Sequence, residues 1–294
     1  MTMRTVPRAF GALVLLCTLI WFPIRAGAAT IPAVSVAPQA GVPGTTFAVL
    51  GLGFTPQTSQ TVTITRAGAP VAALSALADS TGRVELTIDS TGYEPDAGFA
   101  IAIGGVSVAS APFVVTTSQT EHCFLAETGF CMRGRFQAYW ESHGGLELNG
   151  YPISAEFNEI LEDGRPYTVQ YFERTRLEYH PEVRDTGGQV LLGQFGRRVH
   201  PADPNAMPDA TQIWFPQTGH NVPTDFYRYW SDGGGLAQFG LPLTESYMQR
   251  LEDGKTYQVQ YFERARFEWH PENPAPYSIL LGQFGRMMLA EAQR

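Results

Sequence analysis

Two stretches ninety positions apart read almost alike: VQYFERTRLEYHPE from Val169 to Glu182, and VQYFERARFEWHPE from Val259 to Glu272. Only Thr175/Ala265, Leu177/Phe267 and Tyr179/Trp269 differ. No other feature limits the fold as strongly, because self-similarity at a fixed period means one supersecondary unit used twice. The match extends both ways. FQAYWESHGGLELNGYPIS (Phe136–Ser154) answers FYRYWSDGGGLAQFGLPLT (Phe226–Thr244), and Leu161-Glu162-Asp163-Gly164 answers Leu251-Glu252-Asp253-Gly254. LLGQFGR recurs at Leu191–Arg197 and Leu280–Arg286, now offset by 89, so one residue is lost in the loop after the His-Pro-Glu run.

Each copy reads as α+β. Phe226, Tyr229 and Trp230, like Phe136, Tyr139 and Trp140, sit at i, i+3 and i+4, one face of a short helix that the following glycines end. A Gly-x-Pro turn follows at Gly150-Tyr151-Pro152 and Gly240-Leu241-Pro242. Asp163-Gly164 and Asp253-Gly254 mark turns between strands. The Val-Gln-Tyr-Phe run is strand-like in its aromatic and β-branched content. Leu191–Arg198 and Leu280–Leu289 are expected to be short terminal helices.

Residues 31–116 have another texture, without Trp or His and rich in Val, Thr, Ala and Gly. Short strands are expected at Ala33–Val36, Thr45–Leu50, Thr61–Thr65, Val84–Ile88, Phe99–Ile103 and Phe113–Thr116, with turns between them, a spacing that suits a β-sandwich. PQAGVPGTTFAVLGLGF (Pro38–Phe54) resembles the opening of bacterial immunoglobulin-like, IPT/TIG-type domains, where a Pro-Gly turn leads to a strand and a Gly-x-Gly-Phe bend. The expected class is thus multi-domain: signal peptide 1–28, an all-β immunoglobulin-like sandwich over 29–117, and α+β repeats over 118–205 and 206–294. Ser118 to Glu121 reads as a linker.

The signal peptide rests on Arg4 and Arg8, the apolar run Gly11 to Phe22, and the A-x-A site Ala26-Gly27-Ala28. The run is short for a membrane span. Cys17 follows Leu16, so lipidation is not expected. Secretion or display at the cell surface follows, with membrane attachment only if the segment is retained. The chain carries a formal charge of −8, and removal of residues 1–28 takes away three arginines and no acid, leaving about −11. That charge repels phosphate backbones, so nucleic acid is not an expected partner. Cys123 and Cys131 are then the remaining cysteines, and export predicts one disulfide between them. Their sequence counterparts in the second copy are Ile213 and Asn221.

The duplicated half resembles the LGFP-type repeats of bacterial cell-envelope proteins. That family has an aromatic helix, Gly-Gly, a Leu-Gly-Phe/Tyr-Pro turn, a Gln-x-Phe strand and an aromatic-x-Pro element. Here the turns are Asn149-Gly150-Tyr151-Pro152 and Phe239-Gly240-Leu241-Pro242, followed by Gln170, Phe172, Tyr179 and Pro181, and by Gln260, Phe262, Trp269 and Pro271. The family's Gly-rich turn after the strand is replaced by Glu-Arg-Thr or Glu-Arg-Ala. The resemblance implies envelope association.

Read as one extended strand, Val169 to His180 puts Val169, Tyr171, Glu173, Thr175, Leu177 and Tyr179 on a core face and Gln170, Phe172, Arg174, Arg176, Glu178 and His180 on the other. A bulge or turn near Glu173-Arg174 is expected to break the run into a hairpin and release Glu173 to solvent. Arg174, Arg176, Glu178 and His180, with Arg264, Arg266, Glu268 and His270, then form either a solvated, salt-bridged face or a groove where aromatic rings and charged groups hold a glycan. Two sharper readings use the same residues. Glu178, His180 and Glu182 have the spacing of metal ligands, but no second histidine is shared between copies. Glu173 with Glu178 could serve as a glycosidase pair, but catalysis rarely needs two copies. No G-x-S-x-G, H-E-x-x-H, C-x-x-C or phosphate-loop pattern occurs. The expectation is a non-catalytic binding protein without cofactor or metal, its partner a cell-wall or extracellular glycan, or another envelope protein bound through the same surface.

Overall fold

Strict alternation of inward Val, Ile and Phe builds the first part of the chain. In the computed structural model, which describes residues 31–104, 109–117, 120–183 and 189–294, eight strands come first. They are β1 (Ala33–Ala37), β2 (Ala40–Gly41), β3 (Thr46–Leu52), β4 (Ser59–Arg66), β5 (Ala69–Leu77), β6 (Val84–Asp89), β7 (Asp96–Ile103) and β8 (Ala109–Val115). One sheet runs β1-β3-β6 and the other β2-β8-β7-β4-β5. Val36, Phe47 and Val49 from the first meet Val62, Ile64, Phe99, Ile101, Ile103, Phe113 and Val115 from the second in one buried cluster. Along β4, β7 and β8 every second residue of the buried stretch faces inward, as a half-buried sheet requires. All six expected strands are present. β5 was not expected, because this edge strand leaves Val71, Leu74 and Leu77 exposed and so shows no period of two. The expected signal peptide and linker positions 118 and 119 lie outside the described residues, as do 184–188, in the loop where the offset between copies changes.

The first copy comprises β9 (Glu121–Phe124), β10 (Phe130–Arg133), α1 (Gly134–Ser142), α2 (Gly145–Asn149), β11 (Phe157–Ile160), β12 (Pro166–Tyr171), β13 (Arg176–Tyr179), β14 (Val190–Leu192) and α3 (Phe195–Val199). The second comprises β15 (Ile213–Phe215), β16 (His220–Val222), α4 (Thr224–Asp232), α5 (Gly235–Phe239), β17 (Tyr247–Arg250), β18 (Thr256–Tyr261), β19 (Arg266–Trp269), β20 (Ile279–Leu281) and α6 (Phe284–Ala292). Sheets β11-β12-β13-β14 and β17-β18-β19-β20 share order and register: Thr168 faces Tyr179 as Gln258 faces Trp269. The fold as a whole is β-rich, with short helices and several small sheets. Among the described residues no helix is long and apolar enough to cross a membrane.

Local chemistry explains the shared motifs. The Trp140 indole N–H donates to the Gly150 carbonyl at 2.9 Å, and that of Trp230 to Gly240 at 2.8 Å. Gly150 has φ +80°, and a Cβ there would lie 2.6 Å from the Glu173 side chain. Only glycine accommodates that turn. The terminal segments begin as strands β14 and β20 rather than helices, and turn helical only at Phe195 and Phe284. Cys123 and Cys131 form the disulfide, facing each other across β9 and β10. In the second hairpin Trp214 faces Asn221, so Trp214, not Ile213, is the spatial counterpart of Cys123. The intervening turn is one residue shorter.

Both faces of the first copy's four-stranded sheet are covered. One face carries Leu177 and Tyr179 against Met132, Phe136 and Trp140. The other carries Val169, Tyr171 and Phe195, which share a single cluster with Val259, Tyr261 and Phe284 of the second copy. The contact is reciprocal. The Arg197 N–H donates to the Glu263 carbonyl and the Arg286 N–H to the Glu173 carbonyl, each at 3.2 Å. Each copy's final helix thus sits on the other's hairpin turn. Phe195 and Phe284 are fully buried there, each contributing roughly 2–3 kcal/mol. The first copy also meets the N-terminal sheets: Thr168 Oγ1 donates to the Val36 carbonyl at 2.7 Å, and Asn158 Nδ2 to that of Ala48 at 2.9 Å.

Candidate functional site

The doubled motif folds into a charged ladder. Arg176, 1 % exposed, is saturated. Its Nε and Nη2 donate to Glu178 Oε1 at 2.8 and 2.7 Å, Nη2 also to Glu162 Oε2 at 3.1 Å, and Nη1 to Glu159 Oε2 and the Tyr171 hydroxyl at 3.3 and 3.2 Å. The other Glu178 oxygen faces His180 Nε2 at 3.1 Å, and Glu182 Oε1 faces His180 Nδ1 at 2.9 Å. The second copy repeats the ladder: Arg266 to Glu268 and Glu252 at 2.8 Å, then His270 between Glu268 and Glu272 at 3.2 and 3.0 Å. Each imidazole lies over a tyrosine, His180 on Tyr167 and His270 on Tyr257.

Burial opposes the Arg176 charge, but Glu178, Tyr171 and Glu159 outweigh it and hold its pKa above the ordinary value. Burial pushes the Glu159 carboxyl up, against the pull of Arg176. For His180, burial acts downward, while the hydrogen bonds to Glu178 and Glu182 outweigh it and raise the pKa. Both ring nitrogens face carboxylates, the arrangement of an imidazolium donating twice.

The expected open face is corrected for the first copy's ladder, whereas Arg174, Arg266, Glu268 and His270 do help line a groove of about 410 Å³. Arg176, Glu178, Arg266, Glu268 and His270 are buried, and His180 is largely so. The expected hairpin does form at 172–175, but it pairs Tyr171 with Arg176 and Val169 with Glu178. Residues of opposite parity therefore share a face. Arg176 and Glu178 join Val169 and Tyr171 on the inward side, while Leu177 and Tyr179 turn to the helix. Glu173 is not released to solvent either. Its Oε2 accepts the Tyr151 N–H at 3.1 Å and its Oε1 pairs with Arg286 at 2.5 Å. Glu263 does the same with Leu241 and Arg197. Arg174 and Arg264 reach the carbonyls of Leu146 and Leu236 at 3.1 and 3.0 Å. Glu178, His180 and Glu182, which had metal-ligand spacing, are closed on one another by their own hydrogen bonds.

Another groove lies on one side of the repeat pair. A groove of about 510 Å³ is lined by Trp269, Tyr229, Leu148 and Ile279 and by the carboxylates of Glu147, Asp225 and Asp232. Arg228 stands on its rim, 3.8 Å from Asp225. Burial pushes the Tyr229 phenol up, and the Glu147 carboxylate adds to that. At the equivalent place in the first copy, the ring of Tyr179 is covered: the Arg135 guanidinium carbon lies 3.9 Å from the ring centre, and its Nη1 donates to Gln189 Oε1 at 3.1 Å. The sequence signals for this groove were the Tyr179/Trp269 difference and the exchange of Arg135 for Asp225. The first is plain in the sequence, but its link to the second shows only when the two copies are superposed.

No family model matches the chain, and no curated protein matches it. Among solved structures, macromomycin is similar over 30% of this chain and 99% of its own, at 19% identity with a TM-score of 0.24. A likeness at that level carries no argument about fold or function.

Proposed function

We propose that the chain is an exported, non-catalytic binding protein that attaches to cell-wall or other extracellular glycan. An immunoglobulin-like sandwich over 29–117 leads two LGFP-like repeats, 118–205 and 206–294, which act as one binding body. The observation that supports this reading best is the groove beside Trp269. An indole, a phenol and flanking apolar side chains can meet the C–H faces of sugar rings, while carboxylates accept from hydroxyls. The Arg176 and Arg266 ladders, with Arg174 and Arg264, serve to hold the repeats in shape. The test is retention of the mature chain on isolated cell wall. Retention that soluble wall sugars compete away supports the reading, and retention no greater than that of an unrelated acidic protein refutes it.

One observation favours a second reading, docking of another envelope protein. The face of the first copy around Asn158 and Thr168 is covered by the N-terminal sheets, whereas the matching face of the second copy leaves Met248 64 % exposed beside a groove that Gln258 and Lys255 help line. Binding to wall protein that no sugar competes away, and that Met248→Asp removes, would decide for it.

A further inference from the structure

The first copy displays what the groove in the second copy lacks. Tyr179 is capped by the Arg135 cation, tied to Gln189. In the second copy the ring is Trp269, the residue at the Arg135 position is Asp225, and Ser278 replaces Gln189. The cation over the ring is gone and a carboxylate stands at its position; Arg228, whose counterpart is Ala138, lies 3.8 Å from that carboxylate, and the aromatic side chain lines an open groove. Across the repeat interface the charge changes in the same sense: Glu147 lines this groove, whereas its counterpart is Ala237. Three carboxylates face one guanidinium, Arg228, which is 70 % exposed and drawn toward Asp225.

We infer that this groove takes the protonated amine of a de-N-acetylated amino sugar, held by the carboxylates with its pyranose ring against Trp269. The inference rests on the glycan-binding reading above and names the sugar class. A cation near an indole face is attracted by the ring quadrupole, and more so than near a tyrosine. Indole in place of phenol, together with carboxylate in place of guanidinium, converts a self-filled position into a receptive one. Spacing favours a chain of such sugars over a single cation. Asp225 and Asp232 are seven residues apart on α4, about 10 Å along the helix axis, roughly the length of two linked pyranose units. Leu148 and Ile279 supply apolar wall in the same groove.

The experiment titrates the mature chain with a glucosamine hexamer, an N-acetylglucosamine hexamer, a neutral glucan hexamer and an oligolysine peptide, following tryptophan fluorescence and heat. The glucosamine hexamer is expected to bind about tenfold or more tightly than the acetylated one, with affinity falling as salt rises. Asp225→Arg, which rebuilds the first copy's arrangement at an exposed position, is expected to abolish this preference with only a small fall in Tm, because Asp225 sits in the first turn of α4. Trp269→Ala is expected to weaken both sugars. Equal affinity for the two amino-sugar hexamers, or indifference to Asp225→Arg, overturns the inference. Oligolysine binding as tightly as the glucosamine hexamer overturns it in favour of a basic peptide. Wall retention that survives Asp225→Arg leaves the glycan reading standing and removes this one, whereas failure of every sugar together with absent wall retention removes both.

Discussion

Gly285 tests the reciprocal seating of the two copies, because two physical effects there have opposite signs. It is the second residue of α6 and has no left-handed φ. Helix propensity alone says that Gly285→Ala stabilises by about 1 kcal/mol. A Cβ at that place, however, would lie 1.8 Å from the Phe172 carbonyl oxygen and 2.9 Å from that of Thr175. Carbon and oxygen approach to about 3.3 Å, so α6 must back away by roughly 1.5 Å from the first copy's hairpin. That breaks the 3.2 Å hydrogen bond from the Arg286 N–H to the Glu173 carbonyl, a loss of about 1 kcal/mol. Overpacking strain adds about 1–3 kcal/mol, before any unseating of Phe284. Net destabilisation of about 1–3 kcal/mol remains after the propensity gain. For a cooperative unit of this size that lowers Tm by about 2–12 °C. Calorimetry on Gly285→Ala and on Gly196→Ala, which meets the Phe262 carbonyl at the same 1.8 Å, should give matching falls. A Tm that holds or rises in either variant refutes the close seating.

Other outcomes follow from the ladders and the shared core. Arg176→Met leaves Glu178 and Glu159 facing one another without their cation and should cost about 3–5 kcal/mol by denaturant unfolding, whereas Arg176→Met with Glu178→Leu should recover most of it. The raised His180 pKa means that its contribution is fully present below the ordinary imidazole value near 6.5 and is lost as pH climbs through the folded value. Wild-type Tm should therefore fall with rising pH above that point, and more shallowly in His180→Gln. A fragment of residues 206–294 exposes Val259, Tyr261 and Phe284, and its own Arg286 can take the role of Arg197 toward Glu263. Light scattering should find it as a dimer, and a stable monomer would contradict the pairing.

Much of the fold was legible because burial wrote a period into the residues. Phe47/Val49, Ile101/Ile103 and Phe113/Val115 alternate because one face of their sheet is dry, and Phe136/Tyr139/Trp140 follow a helix because one stripe is. β5 was not legible, since an exposed edge strand has no dry face to mark it. The charged ladder misled for a different reason. Arg176 and Glu178 look like a wetted face, and nothing local announces that four turn residues reverse the parity between Tyr171 and Arg176. Their burial comes from partners scattered along the first copy, Glu159, Glu162, Tyr171 and Phe195. The Trp269 groove was hidden because its lining, Glu147 and Asp225 included, comes from both copies.

Joining both halves in one chain removes a constraint that would bind a dimer of identical subunits. Under true twofold symmetry an arginine at one rim is an arginine at the other, so neither rim could be filled while its mate stands empty. A covalent tether also keeps the halves at a high effective concentration. One half can therefore devote its ring to internal anchoring while the other leaves its own bare to whatever arrives from outside.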